Sequence, residues 1–131
     1  MKKRLDALIR IGRFQTIMQD VGRSRLNALE RRQADLTDNL RAVFEALEAD
    51  EVASGAQAGL VARRIRALQL RLDQLAREQE TARRSVLAQG TRTKLAELAI
   101  EAAALGYRRS KERKELMEII ERALARGASS T

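Results

Sequence analysis

The side chains that could do chemistry in this sequence are carboxylates and basic groups, because histidine and cysteine are both absent. This composition excludes imidazole and thiol nucleophile systems, disulfides and the usual zinc sites. Glu112 and Glu115 are spaced like a paired acid and base, but glutamates among arginines at helical spacing are typical of a solvated helix face. The sequence has no glycine-rich phosphate loop. It therefore predicts a protein that is not an enzyme and has no catalytic residue, cofactor or metal.

Basic side chains concentrate in one run near the end of the sequence, and an apolar stripe follows it. The run contains Arg108, Arg109, Lys111, Arg113 and Lys114, and the stripe contains Leu116, Met117, Ile119, Ile120 and Leu124. A formal net charge of +8 attracts anionic surfaces such as nucleic acid, acidic lipid or an acidic protein. Four interleaved glutamates disfavour a membrane-bound helix. Nucleic-acid binding through phosphate contacts stays open as an alternative function, and a solvated face is the plainest interpretation.

The elements that must position these residues are helices. The chain has 131 residues and no proline, and its 2% aromatic and 34% charged residues suit a globular core poorly. Alanine, leucine, glutamate, arginine and glutamine are abundant, and these are strong helix formers. We therefore predict an all-α fold, with two long helices in an antiparallel coiled-coil hairpin and a C-terminal helical overhang.

An alternating three-four spacing of core positions extends from Leu5 to Leu47 and predicts a first helix over about 3–53. We call the core positions of each helix its seam. At 1.5 Å per residue this helix is roughly 70 Å long. The seam positions are Leu5, Leu8, Gly12, Gln15, Gln19, Gly22, Leu26, Leu29, Gln33, Leu36, Leu40, Val43 and Leu47.

A second apolar stripe runs beside the start of this seam and contains Ile11, Phe14, Met18 and Val21. One partner helix cannot cover so broad a surface. Either a stutter at Gly22 rotates the seam, or the first twenty residues meet something besides their own return helix.

The stretch 54–59 is predicted to be the tip at which the chain reverses. Gly55 and Gly59 together cost a helix about 2 kcal/mol relative to alanine, and Gly55 can take the left-handed conformation that ends a helix. The alternative is an unbroken rod that dimerises, but three successive core layers would then be polar: Asp50, Ser54 and Gln57. We therefore expect one domain, with a second helix over about 60–126 and a frayed tail over 127–131.

Folded about this tip, seam residues of the two helices pair so that their numbers add up to 111 or 112. Gln33 then lies opposite Gln79, so polar layers coincide with polar or small ones. Further pairs of this kind are Gly22 with Gln89 and Gln19 with Thr93. An acidic run over 35–51 also lies beside a basic run over 63–77, which favours the same register. The second seam contains Val61, Ile65, Leu68, Leu72, Leu75, Gln79, Ala82, Val86, Gln89, Thr93, Ala96, Ile100, Ala103 and Tyr107.

In this register Tyr107 lies opposite Leu5, so the second helix outruns the first by about twenty residues, or roughly 30 Å. We call this part the overhang. Because no partner helix in the chain covers its apolar stripe, the stripe must be exposed, disordered or bound to another molecule.

No stretch of the sequence approaches the length of a membrane span. Asp6, Arg10 and Arg13 interrupt the apolar run that a signal peptide needs, although the Arg-bearing amphipathic start has some likeness to a transit peptide. We expect the protein to stay where it is made.

The opening octet Leu8-Ile-Arg-Ile-Gly-Arg-Phe-Gln15, the long hairpin and the basic-then-apolar tail together resemble the FliJ family of flagellar type III export proteins. Family members, which are related to injectisome stalk proteins, are cytoplasmic antiparallel coiled coils similar to the central stalk of rotary ATPases. The resemblance implies a non-catalytic stalk in the pore of the hexameric export ATPase. It would contact the export gate ring and escort empty export chaperones, with no nucleic acid or small-molecule substrate. It would lie in the cytoplasm, at the inner face of the cell membrane only through these partners.

The resemblance also implies two groups of contact residues. At the end that carries both termini, the ATPase ring would meet Leu8, Ile11, Phe14, Met18, Leu116, Ile120 and Leu124. Nearer the tip, the gate would meet Gln33, Leu40, Phe44, Leu47, Leu68 and Leu72. Seam packing is the simpler expectation for all of these except Phe14, Phe44 and the overhang residues. The few aromatic residues near the tip depart from some family members.

Overall fold

The computed structural model of the chain describes residues 1–49 and 55–129. These residues form two α-helices, α1 at Lys2–Ala49 and α2 at Gly55–Ser129, with no strand among them. The all-α class is therefore confirmed. Over the same residues, neither helix has an apolar stretch long enough to cross a membrane.

The second helix begins earlier than the sequence predicts. Gly55 and Gly59, which were expected in the tip, both lie in α2, and no described glycine has a positive φ. Gly55 is the first residue of α2, and a glycine at a helix end does not carry the full cost of an interior glycine, whereas Gly59 lies one residue past the first turn. At the other end, α2 continues through Gly127 to Ser129, so the expected fraying from 127 is not seen there. Ser54, and the predicted end of the first helix at 50–53, lie outside the described residues.

The predicted seams account for almost all of the burial in both helices. Every seam position from Leu5 to Leu47 in α1, and from Val61 to Tyr107 in α2, is buried or half-buried. Positions between them are exposed with few exceptions, such as Ile9. The three-four spacing therefore identified the packed residues correctly, as it does in coiled coils.

The described residues divide into two compact units, and one of them consists of Met18–Gln89. Its core is an apolar cluster in which Leu36, Leu68 and Leu75 are buried, with Leu29, Leu40, Val43 and Leu72 packed against them. Beside this cluster Gln79 is only 3% exposed. Its Nε2 donates hydrogen bonds to Oε1 of Gln33 at 2.8 Å and to the carbonyl oxygen of Leu29 at 3.3 Å. The expected meeting of Gln33 and Gln79 is thus observed.

Two other expectations for this unit, the layer of Gly22 with Gln89 and the acidic run beside the basic run, stay predictions. A Cβ atom built on Gly22 would lie 3.5 Å from Cγ2 of Val86, and Gln89 is not among the atoms nearest to it. Within the described part of the acidic and basic runs, the ion pair formed is Arg41 with Asp38, on one turn of α1. Long exposed side chains lose rotamer entropy when an ion pair fixes them. Opposite charges on two neighbouring helices can therefore favour one register without forming direct ion pairs.

The other unit consists of Met1–Ile17 with the described part of 90–131. Gly12 is buried, and a Cβ atom added to it would lie only 2.6 Å from Cδ1 of Ile100. The hydroxyl of Thr93 donates to the carbonyl oxygen of Gln15 at 3.4 Å. The helices approach closely here because glycine has no side chain to hold them apart.

Candidate partner-binding surfaces

The start of α1 presents apolar side chains that its own unit does not cover. Phe14 is 57% exposed, and Ile11 and Ile17 are at least half exposed, whereas Leu8 is half-buried in the seam. Arg13 is exposed among them. Phe14 is therefore accessible, while its role as a contact residue stays a prediction, and Leu8 fits the expectation of seam packing. Ile11 does not fit seam packing, because it lies outside the seam.

The last part of α2 is exposed throughout. Every described side chain from Arg108 to Ala128, which we call the C-terminal segment, is exposed to solvent. Leu116, Ile120 and Leu124 are among them, with Leu124 68% exposed. Of the three outcomes expected for the apolar stripe of the overhang, the described residues show exposure to solvent.

The structure does not bring the two halves of the predicted ATPase-binding group together. Gly12 packs on Ile100, so Leu116 lies sixteen residues, or about 24 Å, further along α2. Met18 belongs to the other unit, where it is 40% exposed. The predicted group therefore consists of separate apolar surfaces, one near Phe14 and one on the C-terminal segment.

Most of the predicted gate-binding residues are used in packing. Leu68 is only 5% exposed within the apolar cluster, and Leu40 and Leu72 pack against it. Leu47 is half-buried, and Gln33, also half-buried, accepts its hydrogen bond from Gln79. Phe44, by contrast, is 44% exposed. Of this group it offers a partner the largest accessible apolar surface.

A shallow apolar groove lies in the same unit as Phe44 and was missed by the sequence analysis. Its apolar walls include Leu47, Leu60 and Val61, and Gln57 and Arg64 supply its polar edge. Leu60 is 65% exposed. The sequence did contain a signal for this groove, because Leu60 directly precedes the seam residue Val61 but lies outside the three-four spacing.

A second groove, in the unit that contains both described ends of the chain, is polar and has more basic than acidic side chains in its lining. Lys2, Lys111 and Lys114 line it together with Tyr107 and two glutamates. Such a site attracts anionic groups but does not distinguish phosphate from carboxylate. Among the described residues, no cluster of three or more acidic side chains could hold a metal ion.

Comparison of the chain with protein-family models, curated proteins and solved structures finds no match.

Proposed function

We propose that α1 and α2 form an antiparallel coiled-coil hairpin, with the C-terminal segment as its overhang. In each unit, contacts join residues whose numbers add up to between 107 and 112. They include Gly12 with Ile100 in one unit and Gln33 with Gln79 in the other. A nearly constant sum is what two helices running in opposite directions produce. Burial confined to the two seams supports the same arrangement.

This hairpin would be the non-catalytic stalk of a flagellar type III export apparatus, acting in the cytoplasm. The observation that carries this proposal is the C-terminal segment, a helix with an apolar stripe and no cover. A stalk needs a stiff body that packs on itself and an end that grips other proteins. The opening octet, with Phe14 exposed, supports a FliJ-like assignment.

The stalk would work by asymmetry and would not itself perform chemistry. Its C-terminal segment, through Leu116, Ile120 and Leu124, would contact the pore of the hexameric export ATPase. A single chain inside a ring of six subunits cannot contact all of them equally, so it would bias their conformations differently. Phe44 would offer an anchor for the export gate ring, and escorted chaperones would bind elsewhere on the exposed helix faces.

The test is binding of a purified type III export ATPase to the chain with and without residues 108–131. We expect the deletion to abolish binding and to leave the rest of the chain helical by circular dichroism. Leu70→Ala is the matched control, because Leu70 is 61% exposed in the other unit. Unchanged binding after the deletion would reject the assignment of the C-terminal segment.

The second candidate function is nucleic-acid binding through phosphate contacts. The groove in which Lys2, Lys111 and Lys114 outnumber two glutamates favours it, together with the formal net charge of +8. Titration with mixed RNA and DNA at several salt concentrations decides between the two functions. Micromolar affinity at physiological salt that falls steeply as salt is added supports this candidate, because phosphate binding releases counterions.

A further inference from the structure

The outer face of α2 carries a second apolar repeat, distinct from the seam and exposed throughout. Its three-four positions within one unit are Leu95, Leu98, Ala102, Leu105, Arg109, Glu112, Leu116, Ile119 and Ala123. Leu98 and Leu105 are almost half exposed, and Leu95 and Ile119 more than half. A coiled-coil partner requires apolar residues at an alternating three-four spacing. The outer face has such residues at every position except the two charged central ones, Arg109 and Glu112.

This face points away from the residues that pack on α1. The seam positions Ala96, Ile100 and Ala103 each follow an outer-face position by one or two residues. At about 100° per residue, the centres of the two faces are therefore roughly 150° apart around α2. A helix on the outer face would meet α2 on the side opposite α1.

We propose that a second copy of this chain binds here, with the outer faces of the two α2 helices packed antiparallel about a two-fold axis. Centring the pair between Arg109 and Glu112 places each Arg109 opposite Glu112 of the second copy. Arg109 and Glu112, which would each destabilise an apolar core alone, are thus paired with an opposite charge. Leu105 then meets Leu116 of the second copy, and Ala102 meets its Ile119.

Charges beside this core fit the same register. In an antiparallel coiled coil, the residue just before the first core position of a heptad lies beside the equivalent residue of the other helix. On the outer face these residues include Glu101, Arg108, Glu115 and Arg122. Arg108 then lies beside Glu115 of the second copy, and Glu101 lies beside its Arg122. All four of these side chains are exposed in the structure. Two-fold symmetry forms every such pair twice.

Other arrangements of the same two helices bring like charges together. A parallel pair would stack Arg109 on Arg109 and Glu112 on Glu112 of the second copy. Shifting the antiparallel pair by one heptad in one direction places Arg108 beside Arg122, and in the other direction places Glu101 beside Glu115. Like charges across a coiled coil oppose pairing, so the sequence selects one register.

This inference is independent of the stalk proposal. Self-association would cover Leu116, which the stalk proposal assigns to the ATPase. If both hold, the paired state and the ATPase-bound state exclude each other, and the ATPase would have to displace the second copy.

Sedimentation equilibrium of the full chain over a range of concentrations tests the proposal. We expect a monomer–dimer equilibrium that Arg109→Glu and Glu112→Arg each weaken at least about tenfold, because each brings like charges together. Mixing the two variant chains, or combining both substitutions in one chain, should restore association, since each contact again joins opposite charges. Circular dichroism checks that the variants stay helical.

Disulfide crosslinking tests whether the two α2 helices run antiparallel. Because the sequence has no cysteine, only the introduced cysteines can form a disulfide. A mixture of Leu105→Cys and Leu116→Cys chains should form a disulfide between the two variants, while neither variant crosslinks efficiently to itself. Leu70→Cys, in the other unit, is the control for random collision. The proposal is overturned if the parent chain is monomeric at every concentration reached, if the combined variant associates no better than the single ones, or if Leu105→Cys crosslinks mainly to itself.

Discussion

The side-chain amide of Gln79 donates a 2.8 Å hydrogen bond to Oε1 of Gln33, although the two residues are 46 positions apart along the chain. Gln79 is almost fully buried, and its amide also reaches the carbonyl oxygen of Leu29. A buried polar pair of this kind stabilises a coiled coil less than leucine would, but it is satisfied in one register only.

Substitution of either glutamine alone should therefore lower stability. Gln79→Leu leaves the Gln33 amide without its partner, which costs about 1–3 kcal/mol. The double variant Gln33→Leu, Gln79→Leu should be more stable than either single variant, because no polar group is left unpaired. Urea unfolding of the four proteins measures this coupling, and additive effects in the cycle would argue against the hydrogen bond.

Gly22→Ala should stabilise the chain. A Cβ atom at this position meets Cγ2 of Val86 at 3.5 Å, an ordinary contact, and alanine favours a helix interior by about 1 kcal/mol over glycine. We expect a rise of about this size in the free energy of unfolding, measured by urea denaturation. Gly127→Ala, which meets open space near the end of α2, is the control and should change stability less. A loss of stability in Gly22→Ala would contradict the packing described here.

Gly12→Ala should behave differently, because its new Cβ would lie 2.6 Å from Cδ1 of Ile100. The gain in helix propensity is then offset by the movement forced on Ile100. Ile100→Val removes that Cδ1 atom and alone should cost about 0.5–1.5 kcal/mol. In the Ile100→Val background, Gly12→Ala should become more favourable than it is in the parent chain. Thermal unfolding of the four proteins gives the coupling, and its absence would mean that the two residues are not in contact.

Phe44 and Leu68, both assigned to the gate by resemblance, should respond oppositely to truncation. Leu68→Ala opens a cavity in the apolar cluster and should lower the free energy of unfolding by about 2–5 kcal/mol. Phe44→Ala removes an exposed ring and should change it by about 0.5 kcal/mol or less. Urea denaturation measures both values. A large loss in Phe44→Ala would show that this ring is part of the core and is not free to bind a partner.

The sequence predicted the seams well because burial in a coiled coil follows one simple period. Each seam position, including polar ones such as Gln79 and Thr93, is buried or half-buried, although composition alone would place a glutamine outside. The meeting of Gln33 with Gln79 followed from the same spacing. The start of α2 did not, because helix propensity penalises Gly55 as an interior residue and takes no account of the weaker demands of a first turn.

The surfaces were less predictable than the seams. Phe14 and Phe44, which were named as contact residues by resemblance and excepted from seam packing, are both exposed. Leu60, Leu95 and Leu105 lie outside the seam spacing too, and from that spacing alone such leucines look like isolated surface residues. The outer face became recognisable only because Leu95, Leu105 and Leu116 all stay exposed along several heptads of one unit. The spacing of residues in one chain does not say which molecule covers an exposed surface. An exception is a surface whose charges are complementary to those of a second copy, as we propose for Arg109 and Glu112.

The central claim, that one chain folds back and packs α1 on α2, is tested most directly by a distance between Leu40 and Leu72. Both side chains pack against the same buried leucines. Spin labels on Leu40→Cys and Leu72→Cys in one molecule, diluted with unlabelled protein, should lie about 10–20 Å apart, since packed helix axes are separated by about 8–10 Å. An unbroken rod would separate them by about 48 Å, and that result would contradict the hairpin.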